Sequence, residues 1–168
     1  FGLLNTIRDY ITEDHVIISV AAGISTSFIE NNIGKKVQVV RVMPNTSCQV
    51  KESATAIAAG RFTEQKALTV VQKIFSAVGK VFIVEEESLD GVTGLSGSGP
   101  AYVYLMMEAL MEAGINSGLD RKLSEQLAIQ TVFGAAKMAL ETGEDVKYLR
   151  KKVTSPGGTT MAAVETLK

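Results

Sequence analysis

The stretch that constrains this chain most is residues 91–114, GVTGLSGSGPAYVYLMMEALMEAG. It opens on Gly94, Ser96, Gly97, Ser98 and Gly99, a composition that reads as a loop. Pro100 has no N–H to lose in a first helical turn, so the pattern predicts a helix from Pro100 with Ser98 as its N-cap. Tyr102, Leu105, Met106, Ala109, Leu110 and Ala113 recur at helical spacing and make one apolar face. Val103, Met107 and Met111 widen that face, leaving a narrow polar strip around Tyr104, Glu108 and Glu112. A helix apolar on nearly every side needs cover on nearly every side. In a chain of 168 residues a second copy can supply much of it, so a homodimer is the expectation.

The length allows one domain or two small ones. Such a chain can bury roughly 68–70% of its surface, enough for a real core. Hydrophobic residues make up 46% and charged residues 21%, the balance of a soluble globular protein. The net charge is −1 with Lys and Arg scattered, which argues against a nucleic-acid or membrane-surface partner. No apolar run reaches the roughly 18 residues of a membrane span, and Glu108 interrupts the best candidate. No basic-then-apolar leader stands at the beginning. The one cysteine, Cys48, excludes an intramolecular disulfide and makes a cytoplasmic location the default. Phe1 falls inside a pattern already under way, since Leu3, Leu4, Ile7 and Ile11 share one helical side. A fragment of a longer protein is therefore expected.

Residues 2–12 read as that helix. Residues 15–20, HVIISV, read as a buried parallel strand bounded by Ala21, Ala22 and Gly23. Ser25 or Thr26 caps a short helix through Asn32, and Gly34 closes it. Residues 36–43, KVQVVRVM, alternate and read as the next strand. Strand, helix, strand in this span predicts a βαβ unit and a parallel pair. A strand at 54–59, a helix capped by Thr63 and a strand at 81–84 follow.

After Glu87 the strand signals stop. Helices are predicted over 88–95, 100–114, 120–141, 144–152 and 159–167, with Asp120 capping the third. The fold class is therefore α/β then all-α. Residues 1–87 form the C-terminal half of a Rossmann-like doubly wound sheet, and residues 88–168 a helical dimerisation and substrate-binding domain. The mononucleotide half with its GxGxxG turn is absent from the sequence.

Three places suit chemistry. In the loop 154–160, TSPGGTT, Gly157 and Gly158 let backbone N–H groups converge, and Thr159 or Thr160 starts a helix whose N-terminus favours an anion. The carboxylate of a small substrate would fit there, or the loop is an ordinary capped turn. Val20, Ala21 and Ala22 lie at the carboxyl end of a parallel strand, and Met43, Pro44 and Asn45 at the end of the next. Open α/β sheets bind ligands at that edge; the alternative is a pair of plain turns. His15 opens a strand and has no second histidine for a metal site, so no metal is predicted. Cys48 has no histidine near it in sequence to make it a nucleophile. Arg150, Lys151 and Lys152 read as a solvated helix end.

The strings TGLSGSGPAY at 93–102 and VTSPGGTT at 153–160, with MPNT at 43–46, resemble the signature of pyrroline-5-carboxylate reductase, the last enzyme of proline synthesis. The resemblance runs over essentially the whole chain. It implies hydride transfer from NADH or NADPH to the C=N of a cyclic imine, in a homodimer that can assemble further. It places the substrate carboxylate on Thr159, with Gly158 nearby and Thr160 as the alternative. It aligns Glu86 with an acid near the substrate ring, although the residue alone reads as one exposed member of an acidic run. Thr93 and Ser96 would line the same pocket. Val20, Ala21, Ala22, Met43, Pro44 and Asn45 would lie near the nicotinamide, and Lys152 would reach the cofactor from the partner subunit.

Ser47 and Cys48 depart from the proline and small residue common in the family at that turn. The family also has a region before this sequence and a helical segment after Lys168 that are not found here. No strong general acid is needed if the imine binds protonated, which suits motif loops without His or Cys. The residue that distinguishes NADH from NADPH belongs to the absent half. Two rivals stand beside this reading. A β-hydroxyacid dehydrogenase would need a lysine on the helix 100–114, which has none. A non-catalytic dimerisation module is the alternative if the chain is complete.

Overall fold

The computed structural model describes residues 2–155 and 157–166, with the backbone alone at Thr159, Ala162, Glu165 and Thr166. It divides into two compact units, residues 1–103 and 104–168.

The first unit begins with α1 (Gly2–Ile7). The helix expected over 2–12 is shorter because Lys35 intercepts it: its Nζ donates to the carbonyls of Arg8 at 2.8 Å and Ile11 at 3.0 Å. Next come β1 (Val16–Ser19), α2 (Thr26–Ile33) and β2 (Gln38–Met43). Ser25 caps α2 by accepting from the amide of Phe28 at 3.1 Å. Gly34 ends it with φ 69°, a left-handed conformation that glycine adopts without strain. β1 pairs parallel with β2, Val16 opposite Gln38 and Ser19 opposite Arg41. Along β1 the side chains are half-buried except Ile18, which is exposed.

A 3-10 turn (Thr46–Val50) then reverses the chain, and β3 (Ser53–Ala59) runs antiparallel to β2, Met43 opposite Ala56. A parallel return needs a crossover of about a dozen residues or more, and only a tight turn intervenes. After α3 (Gln65–Ser76), β4 (Gly79–Ile83) pairs parallel with β3, giving a mixed sheet in the order β1-β2-β3-β4. Thr63 does not cap α3. Its hydroxyl donates to the Val39 carbonyl at 2.7 Å and accepts from the Val39 amide at 3.1 Å, so it pins the loop to β2.

The strand period of two sorts the core. Val40, Val42 and Ile57 pack with Leu68 and Val71 of α3 on one face. Val39 packs with Ile29 and Ile33 of α2 on the other. On that same second face, Met43, Ala56 and Ala58 receive Leu89 of α4 (Leu89–Val92). α4 does not end in a loop. It continues into a π turn (Thr93–Gly97), closed by a bond from the Ser98 amide to the Thr93 carbonyl at 2.8 Å. Ser98 is itself helical, φ −86° and ψ −14°, so it is no N-cap, and the expected glycine–serine loop is a widened helical turn. α5 (Gly99–Asn116) follows directly.

The second unit holds most of α5, then α6 (Arg121–Thr142), α7 (Val146–Lys152) and α8 (Thr159–Thr166). Asp120 caps α6 as expected, accepting from the amides of Lys122 at 2.9 Å and Leu123 at 3.1 Å. α5 and α6 approach closely where Gly114 meets Ser124. Among the described residues none on α5 is buried, and Leu105 is 67% exposed. An apolar groove of about 530 Å³ lies between α6 and α7, lined by Gly134, Ala135, Met138, Leu149 and Val153. The predicted end of the last helix at 167 lies outside the described residues. Among those residues no helix is long and apolar enough to cross a membrane.

Candidate active site

One face of β2 organises the first unit's candidate site. Arg41, Met43 and the following Asn45 alternate in register on it, and each meets part of the segment 86–97. Arg41 reaches Glu86 and Asp90, with Nη1 to Oε1 and Nη2 to Oδ1 both 3.4 Å. Met43 is buried with Leu89, and its Sδ faces Gly97, where an added Cβ would lie 3.4 Å from it. Asn45 donates from Nδ2 to the Ser96 carbonyl at 3.0 Å. Its Oδ1 accepts from the Ser47 amide at 3.1 Å and so caps the 3-10 turn. The amide of Asn45 donates to Ser53 Oγ at 3.2 Å.

Glu86 is not a loose member of an acidic run. Its Oε1 accepts from the Thr26 amide at 2.8 Å and its Oε2 accepts from the Thr26 hydroxyl at 2.5 Å. With Arg41 on Oε1 as well, both oxygens are engaged within the fold. The neighbouring hydroxyls turn inward in the same way. Thr93 Oγ1 donates to the Leu89 carbonyl at 2.7 Å, and Ser96 Oγ to the Val92 carbonyl at 3.2 Å. Each hydroxyl keeps lone pairs to accept with.

The two parallel strands end side by side. Val20, Ala21 and Ala22 are exposed after β1, with Gly23 at φ 72° turning the chain into α2. Pro44 and Asn45 are half-buried after β2, whereas the Met43 side chain is buried. Open α/β sheets bind ligands at this carboxyl edge, and the exposed side chains of Ala21 and Ala22 leave the backbone there accessible.

In the second unit, Arg150, Lys151 and Lys152 are the exposed basic end of α7, and Lys152 has partners there. Its Nζ donates to Glu144 at 2.7 and 2.9 Å and lies 4.8 Å from the centre of the Tyr148 ring. The loop 154–160 turns at Gly157, φ 70°. The Gly158 amide donates to the Ser155 carbonyl at 3.1 Å and closes that turn, so it is engaged within the loop and not turned toward a ligand as expected. α8 starts at Thr159, the first of the two threonines offered for that role. Pro156 and the side chain of Thr159 lie outside what the structure describes. Among the described residues no group of three His, Cys, Asp or Glu could hold a metal ion.

Sequence reasoning missed Arg41. The signal was its parity: Arg41 stands between Val39 and Met43 on one strand face, both apolar, so an inward guanidinium was implied.

Residues 86–168 match the family model for pyrroline-5-carboxylate reductase dimerisation. A pyrroline-5-carboxylate reductase of Bacillus spizizenii is 44% identical over 165 residues, 98% of this chain and 56% of that protein. The structure of a Coxiella burnetii pyrroline-5-carboxylate reductase superposes with a TM-score of 0.91 at 42% identity, over 99% of this chain and 62% of that one. The NADP-bound structure of Plasmodium falciparum pyrroline carboxylate reductase gives 0.92 at 34% identity, over 99% and 65%. The chain thus spans somewhat over half the length of these relatives.

Proposed function

Because this chain belongs to the pyrroline-5-carboxylate reductase family, we propose that it carries the substrate-side half of a reductase that converts 1-pyrroline-5-carboxylate to L-proline. The observation that supports this most is the coincidence of two independent signatures. TGLSGSGPAY and VTSPGGTT lie within the segment 86–168 matched as a dimerisation domain, and MPNT is tied to the first of them through Asn45 and Ser96.

NADH or NADPH would supply the hydride from the carboxyl edge of β1 and β2. There Val20, Ala21, Ala22, Pro44 and Asn45, with the main chain of Met43, flank the nicotinamide. The chain's own residues bind and orient the imine. Thr159 and the backbone at the start of α8 hold its carboxylate, with Thr160 as the alternative donor. A helix start places partial positive charge there, which favours the anion. Thr93 and Ser96 border the ring on the π turn. Glu86 acts by fixing that turn, since its oxygens are already engaged.

The imine nitrogen is held protonated, so the hydride adds to carbon and the C=N electron pair moves onto nitrogen without a separate acid. Holding the partners in place is then the main source of rate. Lys152 stands near the cofactor of the neighbouring subunit, released from or shared with Glu144.

Residues 1–87 complete a dinucleotide-binding domain supplied in part by chain outside this sequence, and 88–168 form the dimerisation and substrate domain. The assembly is a homodimer whose helices cover the exposed apolar sides of α5, α6 and α7. The protein works in the cytoplasm.

The test is a steady-state assay of the full-length protein with NADPH and NADH. Oxidation of either that depends on pyrroline-5-carboxylate supports the reading. Turnover of a 2- or 3-hydroxy acid, with none of the imine, overturns it in favour of a hydroxyacid dehydrogenase.

A further inference from the structure

We propose that Arg41 is a positioning residue for this reduction, acting through Glu86 to set the angle of the segment that carries Thr93 and Ser96. The proposal rests on the imine-reductase reading above. Arg41 is 5% exposed, in the middle of a strand face otherwise made of Val39 and Met43. Its Nε is buried with no hydrogen-bond partner among the described residues. A buried guanidinium with an orphaned donor is an expensive way to fill a strand position that an apolar residue would fill better. The cation is therefore to be explained by what it holds.

What it holds is mainly Glu86, whose side chain is 22% exposed; Asp90, at 87%, is a weak, solvated partner. Glu86 is in turn gripped by the amide and hydroxyl of Thr26, the first residue of α2. One carboxylate thus joins β2, the helix that follows the 20–22 turn, and the start of the segment 86–97. Two residue pairs further along the same strand face, Asn45 holds the other end of that segment through the Ser96 carbonyl. A segment tied at both ends to one strand face has its tilt fixed. Loss of Arg41 takes the cation off Glu86 while the Thr26 amide and hydroxyl and the buried Leu89 stay in place, so the segment tilts and does not detach. The turns at 20–22 and 43–45 keep bonds of their own that do not involve Arg41, from the Ala21 amide to Ser19 Oγ, from the Asn45 amide to Ser53 Oγ and from the Ser47 amide to Asn45 Oδ1. Arg41 should then govern how the imine is presented and leave cofactor affinity alone.

The experiment uses the full-length protein with NADPH and pyrroline-5-carboxylate. It compares wild type, Arg41→Met, Arg41→Lys, Glu86→Gln and the Arg41→Met/Glu86→Gln double variant by steady-state kinetics, NADPH titration and thermal melts. Arg41→Met should lower kcat about 10- to 100-fold, the scale of a displacement near 1 Å, with Kd for NADPH little changed. Arg41→Lys, which can still reach Glu86, should recover part of the loss. The double variant should be no worse than the poorer single one, because the two residues act as a unit. A lowered melting temperature with kcat unchanged well below it would overturn the proposal, and so would losses that multiply. If Arg41→Met fails to fold, Arg41→Lys and Glu86→Gln decide by the same kcat-against-Kd comparison. An inactive wild type overturns the imine-reductase reading itself; an active wild type with indifferent Arg41 variants overturns this inference alone.

Discussion

Thr159 begins α8, and valine at that position separates a substrate ligand from a helix cap. A hydrogen bond to a charged group contributes roughly 1.5–3 kcal/mol. In the full-length enzyme, Thr159→Val should therefore lower kcat/KM for pyrroline-5-carboxylate about 10- to 150-fold, with the melting temperature nearly held. Kinetics and melts on one preparation read both. Unchanged kcat/KM with a clear drop in melting temperature would make Thr159 a cap, worth about 1 kcal/mol. If Thr160→Val produced the catalytic loss instead, the carboxylate site would stand one residue later. The residue scale was the hardest to read from sequence. Asn45 announced itself only as part of a motif; its bond to Ser47 is local, but its bond to Ser96 joins positions far apart in the chain. Glu86 looked exposed because Glu85 and Glu87 are. Arg41 was hidden by the habit of reading a charged residue in a strand as its wet side.

Elements with local instructions were legible. Ser25 and Gly34 bound α2, Asp120 starts α6, and the βαβ spacing gave β1 and β2 their parallel pairing. Elements set by distant partners were not. The π turn at 93–97 has a loop's composition, but Asn45 on the Ser96 carbonyl and Met43 against Gly97 hold it helical. Thr63 looked like a cap and is a strand tie, because Val39 offers it two bonds. Glycines mark which contacts are tight. A Cβ at Gly79, φ 151°, would overlap the Ser53 carbonyl oxygen, a backbone atom that the β3–β4 pairing holds in place. Gly79→Ala should therefore destabilise by about 3 kcal/mol, the upper end for a single change. Gly97→Ala meets Met43 at ordinary contact distance and should stay within about 0.5 kcal/mol. Chemical denaturation of both variants checks the contrast. Equal losses would mean that the segment 86–97 packs on β2 more tightly than described.

The helical half leaves large apolar side chains in the open, Tyr104, Leu105, Met106 and Leu110 on α5 and Phe133, Met138 and Leu140 on α6. Soluble monomers rarely expose so much contiguous apolar surface. Met106→Glu should accordingly prevent assembly, since a buried unpaired charge costs about 3–5 kcal/mol. Light scattering at micromolar concentration should give a dimer for wild type and a monomer for the variant; a folded wild-type monomer would refute the interface. The claim above all these is that a hydride reaches the carbon of a cyclic C=N bond whose nitrogen is already protonated. The most direct measurement supplies the full-length protein with pyrroline-5-carboxylate and NADPH deuterated at the transferable position, then analyses the product by mass spectrometry and NMR. The expected product is L-proline with one deuterium, on the ring carbon beside nitrogen and remote from the carboxylate. Proline without deuterium at that carbon, or no proline while the cofactor is consumed, would contradict the account.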